Sequence, residues 1–158
     1  MIYKETDVLS ESEKEAIRIL WNSEYPHVIQ HKNKEHFEEY LSQLKNKKHT
    51  LIIKNNEVLG WYCDFIRKNE LWFAMIIDAK LQGFGEGRKL IQRAKSRNKE
   101  LNGWVVIESN YLKQNKEEYK SPIKFYKKLG FTLFFNEKLE SNKMNAIRIQ
   151  WKSEDKCH

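Results

Sequence analysis

The sequence predicts an α/β domain built on a mixed central sheet, and three features of the chain indicate it. A strand, a glycine-rich loop, a helix and a further strand follow one another over residues 71–107. This βαβ order makes part of the sheet parallel. A hairpin signal at residues 55–56 and two amphipathic helical segments precede the unit. We therefore expect helices on both faces of a sheet that is partly antiparallel and partly parallel.

Length and composition are those of one compact domain. The chain has 158 residues, of which 40% are hydrophobic and 32% charged, so it can bury a core beneath a heavily solvated exterior. We find no repeat, low-complexity tract or interdomain linker. The sequence predicts a single domain over residues 1–158.

Hydropathy and charge limit the classes of location and binding partner that the sequence predicts. No apolar run approaches the roughly 18 residues that cross a bilayer, and the polar N-terminus lacks a secretory pattern, so we expect a cytoplasmic protein without membrane association. The formal charge of +7 suits nucleic acid, an acidic membrane surface or a polyanionic small molecule. The lysines are scattered along the chain, so their positions favour none of these three partners and are typical of a solvated surface. The cysteines and histidines show no metal-ligand spacing, so no metal site is predicted.

The N-terminal segment predicts a short strand and two helices. The strand covers residues 2–4, and two overlapping capping boxes, Ser10 with Glu13 and Ser12 with Glu15, can begin the first helix. A loop over residues 22–33 follows. The apolar faces of the two helices have helical spacing and consist of Ala16, Ile17, Leu20 and Trp21 in the first and Phe37, Tyr40, Leu41 and Leu44 in the second.

The middle of the chain predicts a hairpin followed by the central strand. Asparagines at 55–56 tolerate the positive φ that a tight turn between two strands requires. The second of these strands runs to Arg67, and a turn at 68–69 leads to a third, 71–77, which is apolar throughout. Such a strand is typical of a position covered on both faces, so we place it at the centre of the sheet.

The segment Gln-Gly-Phe-Gly-Glu-Gly at 82–87 follows the central strand and its short exit, 78–81, and leads into a helix. Glycines let the backbone approach a ligand, and the free N–H groups of a helix start carry the positive end of its dipole. The loop is therefore predicted to bind a pyrophosphate. It could be a nucleotide P-loop, a dinucleotide fingerprint or the phosphate loop of CoA-dependent acyltransferases. The first two fit poorly, because Gly87-Arg88-Lys89 replaces Gly-Lys-Ser/Thr and the glycines are spaced by two.

Further elements complete the predicted sheet. A strand at 104–107 follows the helix, and a polar loop that includes residues 111–119 comes next. We then predict a helix near 122–129, a strand at 131–135 and a last strand near 146–151. The loop could close over a substrate or remain a solvent loop.

Two signatures in register resemble those of the GNAT (general-control-related N-acetyltransferase) superfamily. Gln82, Gly85 and Gly87 stand where its motif A has Arg or Gln, two residues, Gly, one residue, then Gly or Ala. About forty residues on, the segment 121–131, Ser-Pro-Ile-Lys-Phe-Tyr-Lys-Lys-Leu-Gly-Phe, is similar to the second signature, which ends Phe-Tyr-x-x-x-Gly-Phe. Order and spacing agree over residues 71–135.

The resemblance implies a sheet splayed open in the middle, with acetyl-CoA as cosubstrate in the gap between the strand ending at Ile77 and the strand starting at Trp104. Backbone groups around Met75 and Ile77 would pair with the pantetheine arm. The implied phosphate-binding residues are Gln82, Gly83, Phe84, Gly85, Glu86, Gly87 and Arg88. Glu86 departs from the family, which more often has an apolar or neutral residue there. Its carboxylate would turn to solvent, pair with Arg88 or Lys89, or weaken binding of the cosubstrate.

The resemblance also assigns catalytic roles. Tyr126 matches the position whose hydroxyl lies near the cosubstrate sulfur and acts as general acid, and a backbone N–H near Ile77 would polarise the thioester carbonyl. Carboxylates near strand ends are candidate general bases: Glu70, Asp78 and Glu108. Glu108 is placed first because it follows the apolar strand that would line the gap.

The implied activity is transfer of an acetyl group from acetyl-CoA to a primary amine of an unidentified small-molecule or peptide acceptor. The first helices and the hairpin usually form the acceptor site of this fold, and they supply Trp21, Tyr25, Pro26, His27, Trp61, Tyr62, Asp64 and Trp72. Asp64 could hold the amine. A non-catalytic acyl-CoA-binding module is the alternative, and a basic nucleic-acid-binding domain is disfavoured because no concentrated basic stripe exists. A homodimer is left open.

Overall fold

The computed structural model describes residues 1–108, 110–139, 141 and 143–154. In this part of the chain the helices are α1 (Glu11–Glu24), α2 (Lys34–Ser42), α3 (Glu86–Arg97) and α4 (Ile123–Lys128). The strands are β1 (Ile2–Thr6), β2 (Lys45–Lys54), β3 (Glu57–Arg67), β4 (Glu70–Ile77), β5 (Glu100–Val106), β6 (Thr132–Lys138) and β7 (Ala146–Lys152). They form one sheet in the order β1-β2-β3-β4-β5-β7-β6.

The sheet is mixed and opens at its centre. Strands β4 and β5 are parallel and joined through α3, whereas the other neighbouring strands are antiparallel. Strand β4 is the fourth of the seven, as predicted from its apolar sequence. Its register with β5 consists of the single pair Trp72 with Asn102, so the two strands diverge toward their carboxyl ends. The predicted splay is confirmed.

Local signals place the first helices. Ser10 and Glu13 form the capping box of α1, with the Ser10 side chain accepting from the Glu13 N–H at 3.1 Å and the Glu13 carboxylate accepting from the Ser10 N–H at 2.8 Å. Ser12 therefore lies inside the helix, and the second candidate box is not used. Asn33 caps α2, which ends at Ser42, so the buried Leu44 lies beyond the helix predicted to carry it.

Both predicted turns are present, and the one at 55–56 has the positive φ that its asparagines predict. Asn55 and Asn56 have φ of 52° and 62°, and Lys68 and Asn69 have 51° and 62°. The strands are longer than predicted. Strand β5 begins at Glu100 rather than Trp104 because its polar start is paired: the fully buried Asn102 side chain donates to the Leu71 carbonyl at 3.0 Å. Polar residues with buried partners hide a strand from a hydropathy pattern.

Helices cover both faces of the sheet. One core lies between the sheet and α1 and α2 and includes Ile17, Leu20 and Trp21. The other lies against α3 and α4 and includes Leu90 and Ile91. Among the described residues, none of the helices combines the length and apolar character that crossing a bilayer requires.

Candidate functional site

Two cavities meet where the sheet splits. The loop cavity, about 530 Å³, is bounded by the end of α1, the end of β4, the glycine loop and the start of α3. The aromatic cavity, about 300 Å³, lies between α1 and α2 on one side and β3, β4 and β5 on the other. The residues that line both cavities are Tyr25, Met75, Tyr119, Pro122 and Tyr126. This shared wall is called the junction below.

The glycine loop has the geometry of an anion cradle. Gly83 and Gly85 have φ of +88° and +81°, and a Cβ built on either meets no atom within 4 Å. Gly85 is the N-cap of α3, so the unpaired N–H groups of the helix start lie beside this open space. Gly87 has a different role, because a Cβ there would come within 3.2 Å of the Phe125 ring and 3.4 Å of the Met75 side chain. The cradle fits a phosphate group, and Gly87 lets α3 approach α4 and β4.

Gln82 is hydrogen-bonded to the end of β4. The Gln82 side-chain amide donates to the Ile77 carbonyl at 3.0 Å and to Glu24 at 3.4 Å. The Met75 carbonyl accepts from the Tyr25 hydroxyl at 3.0 Å. The backbone carbonyls of Met75 and Ile77, predicted to face a pantetheine arm, thus each accept a hydrogen bond from a side chain in this structure. These hydrogen bonds hold the end of β4 beside the loop cavity.

The other residues predicted for the phosphate site divide into two groups. Arg88 is exposed and lines the loop cavity together with Gly83, Gly85 and Gly87. Phe84 is 73% exposed and does not line it. It lies between two glycines of left-handed backbone geometry.

Glu86 is buried rather than turned to solvent. The Tyr3 hydroxyl donates to its carboxylate, and Lys89 lies at 3.3 Å, so of the predicted arrangements the structure has the pairing with Lys89. Burial, and then the hydrogen bond to Glu86, raise the pKa of Tyr3 to about 12. Strand β1 thereby fastens the first residue of α3, a contact that no local pattern in the sequence signals.

Tyr126 lies at the junction, on α4. Pro122 is the N-cap of this helix, and the Ser121 hydroxyl donates to the Val106 carbonyl at 2.5 Å, which ties the helix start to the end of β5. The Tyr126 ring packs on Phe73 and Phe131, and burial raises the pKa of its hydroxyl, with a smaller contribution from Tyr119. A hydroxyl that stays protonated beside both cavities can donate a proton.

The three predicted base candidates lie outside both cavities. Glu70 is paired with Arg148 at 2.6 Å, and Asp78 caps the backbone N–H of Lys80 at 2.9 Å. Glu108 accepts from the Asn145 side chain at 3.0 Å. The neighbours of Asn145 in the chain, Met144 and Ala146, line the aromatic cavity, and Glu108 itself does not.

Glu24, which the sequence analysis did not select, lines the loop cavity. Its carboxylate accepts from the Ala79 N–H at 3.2 Å and from Gln82, and Lys113 lies at 3.4 Å. It therefore joins the end of α1 to the glycine loop and to the segment 111–119, whose last residue, Tyr119, belongs to the junction. Its partners lie far from it in the sequence, so its role is visible only in the tertiary structure.

The predicted acceptor residues are only partly brought together. Trp21, Tyr25, Pro26 and Trp72 line the aromatic cavity, and His27, Trp61 and Tyr62 do not. The prediction that Asp64 holds an amine there is wrong, because its side chain lies on the opposite face of the sheet. It accepts from the Tyr62 hydroxyl at 2.9 Å beside Arg97 of α3, and burial raises its pKa. Within the described residues no group of three or more potential ligand side chains is placed to hold a metal ion.

Comparison with known proteins agrees with this geometry. A family model described as the acetyltransferase (GNAT) domain matches residues 46–133. An aminoglycoside 6'-N-acetyltransferase in complex with coenzyme A has a TM-score of 0.68 at 13% identity, with 96% of this chain and 97% of that chain covered. A ribosomal-protein-alanine N-acetyltransferase from Brucella melitensis has 0.66 at 15%, with coverage of 97% and 100%.

An N-acetyltransferase from Staphylococcus aureus Mu50 has a TM-score of 0.65 at 13% identity, with 96% of this chain and 99% of that chain covered. No curated protein matches the chain significantly. At these identities the likeness concerns the fold, and it confirms the predicted splayed sheet with helices on both faces.

Proposed function

Since the chain belongs to the GNAT acetyltransferase family, whose model matches residues 46–133, we propose that it is an N-acetyltransferase acting by direct attack of a primary amine on acetyl-CoA. Acetyl-CoA is the cosubstrate of the family. The observation that carries the proposal is the junction: a phosphate cradle lies on one side of Tyr126 and an aromatic cavity on the other.

The loop cavity fits a CoA ester. Its cradle is open at Gly83 and Gly85, and Arg88 and Lys120 line it with positive charge. We assign the pyrophosphate to this loop and the pantetheine arm to the backbone of Met75 and Ile77. Phe84 is the residue of the predicted set for which we propose no contact with the cosubstrate, since it lies outside the cavity.

The junction supplies the groups that acyl transfer requires. Acetyl-CoA, when bound, supplies the acetyl group as a thioester. The neutral acceptor amine forms a bond from its nitrogen to the acetyl carbon and loses one proton to a base, the carbon–sulfur bond breaks, and the departing sulfur gains one proton from an acid. In our proposal the Tyr126 hydroxyl gives that proton to the sulfur, and backbone N–H groups near Ile77 stabilise the charge on the carbonyl oxygen.

Thermal unfolding with acetyl-CoA, ATP and NAD, followed by assay of thiol release with a panel of amines, tests the proposal. Acetyl-CoA at about a hundred times its dissociation constant should stabilise the protein by about 2.7 kcal/mol, a shift of about 5 to 11 °C for a domain of this size. An equal shift with ATP would contradict the assignment of the loop. Stabilisation by acetyl-CoA without thiol release for any amine would favour a non-catalytic acyl-CoA-binding module.

Replacing Glu86 with glutamine should tighten binding of acetyl-CoA about 5- to 10-fold. A carboxylate near the pyrophosphate is repulsive by about 1 kcal/mol or more, and glutamine removes the charge while its oxygen still accepts from Tyr3. Isothermal titration calorimetry at low and moderate salt measures the change. Tyr3→Phe is the matched control, because it removes the hydroxyl and keeps the charge. Unchanged affinity in the glutamine variant would mean that Lys89 already neutralises the carboxylate.

Replacing Glu108 with glutamine should lower kcat/KM about 10-fold. We propose Glu108 as the base acting through water, so its effect should lie below the ~100-fold or more of a base in direct contact. The comparison variant is Glu24→Gln, since Glu24 is the carboxylate beside Tyr25 in the loop cavity. A loss of kcat/KM of about 10-fold in Glu24→Gln, with native activity kept in Glu108→Gln, would transfer the role to Glu24.

A further inference from the structure

The described lining of the aromatic cavity contains no carboxylate. Of the described residues that line it none is acidic, and Arg67 is the one with a charged side chain. The indoles of Trp72 and Trp104 face each other across the splay with ring centroids 5.0 Å apart. Their N–H groups are buried, and neither finds an acceptor in the part of the chain that the structure describes. Buried in this way, the two indole N–H groups offer a ligand no donor, so the charge that the described lining presents to an acceptor comes from Arg67.

Arg67 is a cation at the mouth of this cavity. It ends β3, is exposed to solvent, and holds its guanidinium carbon 5.2 Å from the Phe65 ring centroid and 5.5 Å from that of Trp72. Arg148 lies over the same Trp72 at 5.3 Å, but it is paired with Glu70 at 2.6 Å and with Glu137 at 3.1 Å. Among the described residues Arg67 has no such carboxylate. The aromatic stacking orients its guanidinium and leaves its hydrogen-bond donors for another partner.

The two ends of the site are separated by the length of a small molecule. Met75 at the junction and Trp72 beneath Arg67 are three residues apart on β4, which corresponds to ~10 Å along an extended strand. The cavity between them, about 300 Å³, is lined almost entirely by aromatic and aliphatic side chains. An acceptor that spans it needs an apolar body.

We propose that the acceptor is a small amphoteric molecule with a primary amine at one end of an apolar body and a carboxylate or similar anion ~10 Å away, bound by Arg67. The inference rests on the proposed function, because acetyl transfer at Tyr126 is what places the amine at the junction. It also separates this chain from the aminoglycoside acetyltransferases of similar fold. A polycationic acceptor would meet Arg67 and find no carboxylate among the described residues of the cavity.

Three amines of equal length test the proposal: 8-aminooctanoate, octylamine and 1,8-diaminooctane, whose far ends are anionic, neutral and cationic. For the native chain we expect kcat/KM for thiol release to be about 5-fold higher with the anionic than with the neutral amine, and more than 10-fold higher than with the diamine. Arg67→Glu should reverse the order of the anionic and cationic amines. The readout is a ratio between acceptors within each variant, so a partly destabilised variant still reports it.

Lys68→Glu is the matched control, since it changes the charge equally at the next residue, which does not line the cavity. It should keep the native order. If Arg67→Glu has the same ratios of kcat/KM between the three amines as the native chain, the inference is overturned while the proposed function stands. If acetyl-CoA binds and thiol is released with none of the amines, the proposed function fails. Thermal stabilisation by N-acetyl-8-aminooctanoate then tests the binding inference on its own. This stabilisation should be lost in Arg67→Glu and kept in Lys68→Glu, and stabilisation kept in Arg67→Glu would overturn the inference.

Discussion

A Gly85→Asp variant is expected to bind acetyl-CoA about 100-fold more weakly, or worse, and to lose the thermal stabilisation that the cosubstrate gives. Two effects add. Gly85 has φ of +81°, a conformation that costs a residue with a Cβ about 1 kcal/mol. The new carboxylate would stand in the cradle, where each charge of the pyrophosphate at about 4 Å is repelled by about 1 to 4 kcal/mol at effective dielectric constants of 80 to 20.

Two variants separate these effects from a general loss of stability. Gly85→Ala carries the backbone strain without the charge, so it should weaken binding several-fold only. Gly130→Asp imposes the same left-handed strain, at φ of +90°, beside Trp151 and Lys95 and away from the loop cavity. It should lower Tm yet keep the stabilisation by acetyl-CoA. Calorimetric titration gives the affinities, and native-like binding by Gly85→Asp would show that the phosphates lie elsewhere.

The features of the fold and of the site that the sequence predicts are those determined by residues close together in the chain. The glycine loop, the capping box at Ser10 and the turn at Asn55 each need only neighbouring residues to define their backbone. The position of the glycine loop between the central strand and a helix then indicates that it binds phosphate. Tertiary partners are a different matter: Tyr3 and Glu86 are 83 residues apart, and their contact depends on the sheet order.

Asp64 shows why the acceptor wall was harder to predict. Both faces of the inner strands are covered, so β3 is buried from Leu59 to Phe65 and lacks the alternation that would tell one face from the other. In the structure Tyr62 and Asp64 lie toward α3, and Trp61 and Phe65 belong to the core under α1 and α2. A shift of one residue exchanges these sets, and the hydropathy pattern alone does not choose between them.

Replacing Tyr126 with phenylalanine should lower kcat about 100-fold and leave the affinity for acetyl-CoA within about twofold. The hydroxyl is the feature removed, and a general acid in contact with the leaving group contributes ~100-fold or more. Burial raises the pKa of this hydroxyl, so in the native chain the acid stays protonated through neutral and moderately alkaline pH. Loss of the hydroxyl should therefore reduce the rate over that whole range rather than shift a pH optimum.

Tyr119→Phe is the matched control for Tyr126→Phe, since Tyr119 is also buried, also lines both cavities and has its pKa raised to about 12 by burial. Single-turnover measurements with enzyme in excess separate the transfer step from product release. We expect the Tyr119 variant to keep its transfer rate within about threefold. If Tyr126→Phe does the same, the proton reaches the sulfur from another group, and the tyrosine serves only to pack α4 against Phe73 and Phe131. A loss of rate in the Tyr119 variant alone would move the acid to that hydroxyl, which lines the same junction.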